Sequence, residues 1–493
     1  MAEGSKSLTA LGLRAKGGRE VRVTGLSVDS RQVKPGHLFA ALPGSRMHGG
    51  EFIQYALRMG AAAILTDREG AEIAKVELAA SDAALVIAED PRQALAYAAA
   101  LWFGRQPEVM VAVTGTSGKT SVAMFTRQIW QALGRPSANL GTMGVLGDFT
   151  APLAHTTPEP ITLHRVLAEM AEAGITHAAM EASSHGLDQG RLDGARLVAA
   201  AFTNFSQDHL DYHADFDEYF AAKARLFARV LPEEGTAVIN IDDARGREMR
   251  DIARGRGQKL ITVGRTAGAD LCIASQRFDT TGQDLRFTYQ GQPHLVRLAL
   301  IGGFQAENVL AAAGLVIAAG DEPQAVFGAL HGLVTVRGRM ELAAKRDNGA
   351  TVFVDYSHKP GALASALQSL RPHVMGRIIV VFGAGGDRDR LKRPLMGEAA
   401  AKHADVVIVT DDNPRSEDPA AIRAEVMAGC PEATEVGDRA EAILRGVDAL
   451  QPGDALLIAG KGHETGQIVG DDVYPFDDAE QASVAVAALE GRI

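Results

Sequence analysis

The stretch VMVAVTGTSGKTS, residues 109–121, carries the plainest chemistry in the chain. An apolar run leads into a glycine-rich turn, and Lys119 and Thr120 then open a helical pattern. Backbone N–H groups of Thr114, Gly115, Thr116, Ser117 and Gly118, with the helix N-terminus behind them, can wrap a polyphosphate. Lys119 adds a cation and Thr120 offers a hydroxyl to Mg²⁺. The spacing is tighter than G-x-x-x-x-G-K-[ST], because Val113 stands where the first glycine would fall. The order strand, glycines, Lys, Thr is kept, and a ligand-free turn has no need of it.

A second candidate is a lysine on the wrong face of a helix. In HADFDEYFAAKARLFARVL (213–231), Phe216, Tyr219, Phe220, Leu226, Phe227 and Val230 mark an apolar face, and Lys223 falls among them. A buried ammonium must snorkel, pair, lose its proton or be modified. Two strand ends favour more than snorkelling. THAAMEASSHG ends with Glu181, Ser183, Ser184 and His185, and AAAFTNFSQDHLDYH ends with Asn204, Asp208, His209 and His213. A hard cation held beside nucleotide phosphates would give these oxygen and imidazole groups one purpose. A third cluster closes VVIVTDDNPRSED (406–418), where an apolar strand stops at Asp411, Asp412, Asn413, Pro414 and Arg415. A plain turn needs one or two such residues, not five of both signs.

These groups need elements to hold them. Short apolar runs such as AAAILTD, VMVAVTG, LVAAAFTNF, IIVVFGAG and DALLIAGKG alternate with alanine-rich helical stretches. That pattern predicts an α/β protein of parallel sheets covered on both faces, with ligands beyond the carboxyl ends of the strands. The length of 493 residues predicts several domains. Breaks near Pro107 and within LVTVRGRM place them at 1–105, 106–335 and 336–493, and residues 269–302 alternate like antiparallel strands. The formal net charge of −11 argues against sequence-independent nucleic-acid binding. Two cysteines without metal-ligand spacing fit a reducing cytoplasm. No apolar run is long enough to span a membrane, and a monomer is expected.

The motifs TGTSGKTS, HTTPEP, MEASSHGLDQGR, FTNFSQDHLDYH, EYFAAKARLF, GGFQAENVLAAAG, GRMELA, VDYSHKPGAL, FGAGGDRDRLKRPLMG, TDDNPR and AGKGHE run in this order over almost the whole chain. Together they resemble the Mur ligases, the ATP-dependent amino-acid-adding enzymes of peptidoglycan synthesis. The resemblance implies an N-terminal α/β uridine-binding domain, a central P-loop ATPase-type domain with a parallel sheet and a small antiparallel one, and a C-terminal Rossmann-like domain. It implies that ATP phosphorylates the D-glutamate carboxylate of UDP-N-acetylmuramoyl-L-Ala-D-Glu and that an amine of meso-2,6-diaminopimelate attacks the acyl phosphate. Lys119, Glu181, His209 and Lys223 match the catalytic positions. Thr120, Glu181, His209 and Lys223, the last as N6-carboxylysine, match those that hold Mg²⁺. Asn308, Arg339, Asp355, Tyr356 and His358 match further ATP contacts. Thr156, Thr157, Ser183, Gln189 and Arg191 match contacts to the muramoyl-dipeptide, and Val28, Ser30, Ser45, Arg46 and Met47 fall at the uridine-diphosphate positions.

For the amino acid, the resemblance implies Arg388, Asp412, Asn413, Pro414, Arg415, Gly460 and Glu464. Lysine lacks the distal carboxylate of diaminopimelate, so a selective site needs a cation there. Arg415 suits that place, because guanidinium pairs bidentately with carboxylate. Asp412, Asn413, Gly460 and Glu464 would hold ammonium groups, and Pro414 would stiffen the turn. The chain departs from the family pattern at Gln207, Gln305, Arg337, Ser357, Lys359, Ala384 and Leu391. None of these removes a group with a chemical role, though Lys359 could alter nucleotide contacts. Two other readings stay open: a ligase of the same mechanism with another acceptor (lysine-adding, or a folylpolyglutamate synthase), and a non-enzymatic P-loop module.

Overall fold

The computed structural model describes residues 4–44, 47–206, 212–213 and 215–493. It divides into two compact units, Met1–Leu271 with Leu310–Val326, and Cys272–Val309 with Phe327–Ile493.

The first unit holds a two-stranded antiparallel pair, Lys6–Ser7 with Arg22–Val23, and two larger sheets. The smaller has four parallel strands in sequence order, Gly25–Ser27, His37–Ala40, Ala63–Thr66 and Ala84–Ile87. The larger runs in the order Lys259–Gly264, Thr236–Asn240, Leu197–Phe202, Val109–Thr114, His177–Glu181, Ser137–Gly141, Gly144–Gly147. All these pairings are parallel except the last. Its strands are apolar and buried, so ligands are expected beyond their polar C-terminal ends. Val109–Thr114 lies between Leu197–Phe202 and His177–Glu181. The glycine-rich turn, Glu181 and Thr203 therefore leave one edge side by side.

The two sheets are joined through a pair of helices. Pro91–Phe103 begins with Pro91 behind the Asp90 cap and ends at Gly104, whose φ of +74° suits a left-handed stop. Pro160–Glu172 begins with Pro160 behind Glu159, whose carboxylate accepts from the N–H groups of Ile161 and Thr162. The two helices pack together, and Ile161 adds to the core of the smaller sheet. His164 is buried on this second helix with its Nε2 3.0 Å from the Asp193 carbonyl. Burial lowers its pKa to about 4. Its folded pKa thus lies below its unfolded value, so in that window the unfolded chain binds more protons. The associated stability is complete above about pH 6.5 and is lost as pH falls towards 4. Between pH 7 and 4 the unfolding free energy is expected to fall by about 3 kcal/mol more in the natural protein than in His164→Gln, followed by urea melts at each pH.

The second unit holds the strands Leu271–Asp279, Gly282–Tyr289 and Gln292–Leu298, side by side in that order, the last two antiparallel. It also holds a six-stranded sheet ordered Glu341–Lys345, Thr351–Asp355, Ala455–Ala459, Ile378–Phe382, Val406–Val409, Thr434–Glu435. Only the first pairing is antiparallel. Separate apolar clusters cover its two faces. Ala455–Ala459 comes late in the chain and inserts between Thr351–Asp355 and Ile378–Phe382, where strand order reverses. Ligand sites of such sheets open at that crevice. Asp355, Gly383, Asp412 and Gly460 follow the strand ends there. Buried Arg439 ties two of these ends together, donating to the Asp411 and Ala459 carbonyls while paired with buried Asp478.

Candidate active site

The phosphate turn is built by backbone shape and by its neighbouring strand end. Gly115 has φ +143°, and a Cβ there would stand 1.9 Å from Thr203 Oγ1. Gly118 has φ +87° and caps the helix Lys119–Ala132. Only glycine accepts both demands. Thr116 N–H donates to the Asn204 carbonyl, Ser117 N–H to Asn204 Oδ1, and Thr203 Oγ1 to the Ser117 carbonyl at 2.6 Å. Thr203 therefore shapes the turn, a role that no motif signalled.

Glu181 is 2% exposed and lies beside this helix N-terminus. Its carboxylate accepts from Thr120 Oγ1 at 2.9 Å, from Thr142 N–H at 2.9 Å and from Thr142 Oγ1 at 3.4 Å. Thr120 and Glu181 thus offer adjacent hard oxygens, the donor set that Mg²⁺ prefers. Among the described residues no three His, Cys, Asp or Glu form a cluster able to hold a metal. His209 lies outside the described residues, as do Ser45 and Arg46. Gly141 is what makes room for Glu181, since a Cβ there would stand 1.9 Å from Glu181 Oε1. Gly141→Ala is expected to push the carboxylate off Thr120 and lower the rate of any reaction at the phosphate turn by about 10²-fold, the scale of a group misplaced by an ångström. Phosphate release under saturating substrates, with a thermal melt alongside, measures this.

Lys223 sits on the helix Phe216–Arg225, started by Asp215, which accepts from Glu218 N–H. The next turn, Leu226–Val230, widens to π geometry, a distortion common at functional sites. Tyr219, Phe220, Leu226 and Phe227 are buried as the periodicity predicts, whereas Phe216 at the helix start is 40% exposed. Lys223 is 1% exposed, with Nζ 2.8 Å from the Gly115 carbonyl and 4.4 Å from the Tyr219 ring centre. Lys119 Nζ donates to the same carbonyl at 2.9 Å and to that of Thr116. Two amines of distant sequence position thus converge on one oxygen of the phosphate turn.

The muramoyl-dipeptide candidates form a continuous chain of bonds around Glu181. Thr157 Oγ1 donates to the Glu181 carbonyl and accepts from Ser183 N–H and Oγ, while Thr156 Oγ1 lies 3.1 Å from Thr142 Oγ1. Arg191 donates to the Thr157 carbonyl and through Nε and Nη2 to Gln189 Oε1. Burial holds the Arg191 pKa below its ordinary value, with Arg92 adding to the effect. Gln189 and Arg191 line a cavity of about 100 Å³ together with Val28, Leu42, Arg92, Glu159 and Pro160. Val28, just after the strand Gly25–Ser27, and Arg191, past the short helix Ser184–Asp188, thus line one space. Arg92 was not legible in the sequence. Ser30 begins a short turn capped by Asp29, and Met47 is exposed.

The remaining nucleotide candidates lie in the second unit. Asn308 is buried and donates to Gln305 Oε1 at 3.2 Å. Arg339 stacks its guanidinium 4.7 Å from the Tyr356 ring, which also meets the rings of His358 and His463. Burial raises the Asp355 pKa, though its carboxylate accepts from the N–H groups of Met340 and Ser357 and from the Ser357 hydroxyl. Ser357, a departure from the family pattern, thus adds a donor to Asp355 that alanine could not. Burial lowers the His358 pKa, and Lys392 Nζ donates to its carbonyl.

The five-residue charged turn separates by role. Asp411 is held by Arg423, and burial raises its pKa. Asp412 lies at the strand-end crevice, where Gly460 (φ +114°) lets it approach, a Cβ there standing 2.6 Å from Asp412 Oδ2. The Asn413 carboxamide oxygen has both lone pairs in use. It accepts from Lys461 Nζ at 3.1 Å and Ile468 N–H at 2.9 Å, and the amide nitrogen donates to Glu464 Oε2 at 2.9 Å. Lys461 is entirely buried and reaches Glu464 as well. Arg415 has φ +53°, uncommon outside glycine. Its guanidinium donates to the carbonyls of Gly386 at 2.8 Å and Asn413 at 3.4 Å. A Cβ on Gly385 would stand 2.8 Å from that guanidinium. Arg388 is exposed on the neighbouring loop.

The chain is similar to known proteins over nearly all of its length. Residues 22–102 match the family model described as Mur ligase family, catalytic domain, residues 113–316 the Mur ligase middle domain, and residues 338–462 the Mur ligase, glutamate ligase domain. A UDP-N-acetylmuramoyl-L-alanyl-D-glutamate--2,6-diaminopimelate ligase of Bradyrhizobium diazoefficiens is 51% identical over 474 residues, covering 95% of this chain and 96% of that one. A ligase of that name from Brucella melitensis is 50% identical over 470 residues, 95% of each chain. A solved structure of an enzyme of that name superposes with a TM-score of 0.73 at 34% identity, over 99% of this chain and 100% of that one. A folylpolyglutamate synthase of Mycobacterium tuberculosis complexed with ADP superposes at 0.62 with 19% identity, over 75% of this chain and 92% of that one, a likeness of fold.

Proposed function

Because the chain belongs to the Mur ligase family, we propose that it joins meso-2,6-diaminopimelate to the D-glutamate of UDP-N-acetylmuramoyl-L-Ala-D-Glu at the expense of ATP, in the cytoplasm. The observation that carries this is identity near 50% across 95% of the chain to ligases of that name. The three domains are placed at 1–105 for the uridine nucleotide, 106–335 for ATP and 336–493 for the amino acid.

The residues divide the work as follows. The N–H groups of the turn 114–120 and Lys119 hold the ATP phosphates, with charge and dipole fixed before the reaction begins. Asn308, Arg339, Asp355, Tyr356 and His358 serve the rest of the nucleotide. Arg191, Gln189, Thr156, Thr157 and Ser183 hold the muramoyl-dipeptide so that its carboxylate meets the γ-phosphorus, and Val28, Ser30, Ser45, Arg46 and Met47 hold the uridine diphosphate. Phosphoryl transfer gives the acyl phosphate and ADP. An uncharged amine of diaminopimelate adds to the acyl carbon, phosphate leaves with the C–O bonding pair, and the nitrogen loses a proton. Positioning and charge neutralisation are the protein's main contributions.

Mg²⁺ would be held by Thr120, Glu181, His209 and Lys223 as its carbamate, and would neutralise phosphate charge. The carbamate suits the site physically. It turns a buried ammonium into a carboxylate yet keeps one N–H, so the bond to the Gly115 carbonyl survives. Arg388 and Arg415 serve the amino acid's carboxylates, Arg415 the distal one, while Asp412, Gly460 and Glu464 receive ammonium groups. Asn413, with its amide oxygen in use, acts by fixing Glu464, and Pro414 fixes the turn.

The deciding experiment supplies purified protein, ATP and UDP-N-acetylmuramoyl-L-Ala-D-Glu with meso-diaminopimelate, L-lysine or L-ornithine, and follows product mass. Product with diaminopimelate and little with lysine is expected. Preference for lysine would overturn the acceptor assignment, and ATP turnover without any acceptor would overturn the ligase reading.

A further inference from the structure

Arg393 is a fully buried arginine of the second unit that the mechanism leaves unused. It is 0% exposed, although it stands in the first turn of the helix Lys392–His403, where the helix dipole disfavours a cation. Two carboxylates offset this. Nη1 donates to Glu417 Oε2 at 2.9 Å and Glu425 Oε2 at 2.8 Å, and Nη2 to Glu417 Oε1 at 2.7 Å. Nη2 also donates to the Gly385 carbonyl at 3.2 Å, while Nε is buried without a partner. A buried ion pair of this kind is weak evidence for stability, because desolvation consumes much of the attraction. An arrangement with an unsatisfied N–H calls for another reason.

The two glutamates differ in what they touch. Glu417 Oε1 also accepts from Asp387 N–H at 2.6 Å. Asp387, itself at φ +53°, accepts from Ser416 Oγ at 2.6 Å and Ser416 N–H at 3.2 Å. Gly386 N–H donates to the Asn413 carbonyl at 2.9 Å, and Arg415 reaches back to the Gly386 carbonyl. A Cβ on Gly386 would stand 1.9 Å from the Pro414 carbonyl. The loop 383–389 and the turn 411–418 are therefore laced along their length, with Arg393 beneath both through Gly385 and Glu417. Glu425 touches Arg393 and Arg390 but neither loop.

The structure assigns Arg393 and Glu417 as positioning residues for the amino-acid site. They fix the spacing between the loop carrying Arg388 and the turn carrying Arg415, and so the length of diamino-dicarboxylate that the two guanidinium groups can bracket. This rests on the acceptor assignment above. Discrimination by chain length is a matter of distance between fixed charges, and a brace that touches no ligand controls it as firmly as the charges do.

Glu417→Ala and Glu425→Ala test the assignment against each other. Both remove one carboxylate from the same buried arginine, and their side chains are 23% and 29% exposed, so similar losses of Tm are expected. Only E417A is expected to raise KM for diaminopimelate and narrow its preference over lysine, by about tenfold, the worth of one charged hydrogen bond. KM for ATP and for the uridine nucleotide should stay unchanged in both. E417Q, which keeps an acceptor for the Asp387 amide, should recover part of the loss, and it carries the comparison alone if E417A does not fold. Equal KM and selectivity in E417A and E425A, whether both changed or both natural, would overturn the assignment. If the natural enzyme ignores diaminopimelate, the acceptor assignment fails separately, and the brace is then read on KM for the amino acid it does use.

Discussion

Replacing Lys223 by alanine is expected to lower ligation by about 10²–10³-fold, the scale of removing one preorganised electrostatic group. The side chain is buried at 1% exposure and bonded to the phosphate turn itself through the Gly115 carbonyl. Alanine therefore removes charge from the reacting region without touching any outer surface. The variant should still fold, because the helix keeps its buried Tyr219, Phe220 and Phe227. The informative arm is rescue. If the working group is a carbamate, short carboxylates such as acetate or propionate added to K223A should enter the vacated space and restore part of the rate. Lysine analogues without acidic character should not. A parallel mass measurement on the intact natural protein, kept in bicarbonate, should show the added mass of one CO₂. Full activity in K223A would remove the carbamate from the mechanism.

Replacing Arg415 by alanine is expected to erase selectivity for diaminopimelate over lysine by about 10²-fold, corresponding to about 3 kcal/mol for a charge-assisted bond to a buried carboxylate. The guanidinium donates to two backbone carbonyls among the described residues. Neutral acceptors leave its charge available to a ligand. Lysine in the natural site leaves that charge unmatched, so the loss in R415A falls mainly on the preferred substrate while lysine gains slightly. KM for ATP is expected to stay within about twofold, a change below 0.5 kcal/mol. Unchanged preference in R415A would move the distal carboxylate to another cation, with Arg388 the next to test.

How much of this could be read from the sequence depended on how local each feature is. The phosphate turn was legible because strand, glycines, Lys119 and Thr120 are consecutive, and consecutive residues fix their own geometry. Lys223 was legible from helical periodicity, although Phe216 on the same predicted face is exposed because the helix only begins there. The α/β class followed from apolar runs that alternate with helices. The hidden parts bridge distant segments. Thr142 and Gly141 hold Glu181 from a neighbouring strand end, Thr203 shapes the phosphate turn from another, and Arg92 reaches the cavity beside Arg191 from the helix Pro91–Phe103. None of these has a spacing that announces it. The adjacent Asp411 and Asp412 show the same limit. Their residue type and spacing do not separate them, although the family resemblance singled out Asp412, and the fold sends Asp411 to Arg423 and Asp412 to the crevice.

Pro414 has a consequence for the working life of the enzyme. Asparagine in a surface turn ages: the next residue's backbone nitrogen attacks the carboxamide, ammonia leaves, and the succinimide opens to aspartate or isoaspartate. Asn413 is followed by a proline nitrogen that carries no hydrogen, and its amide is held by Lys461, Ile468 and Glu464. The usual cyclisation is closed to it on both counts. In a turn already bearing Asp411 and Asp412, one more carboxylate would add negative charge beside Glu464. The proline thus keeps the turn's charge constant over time as well as its shape.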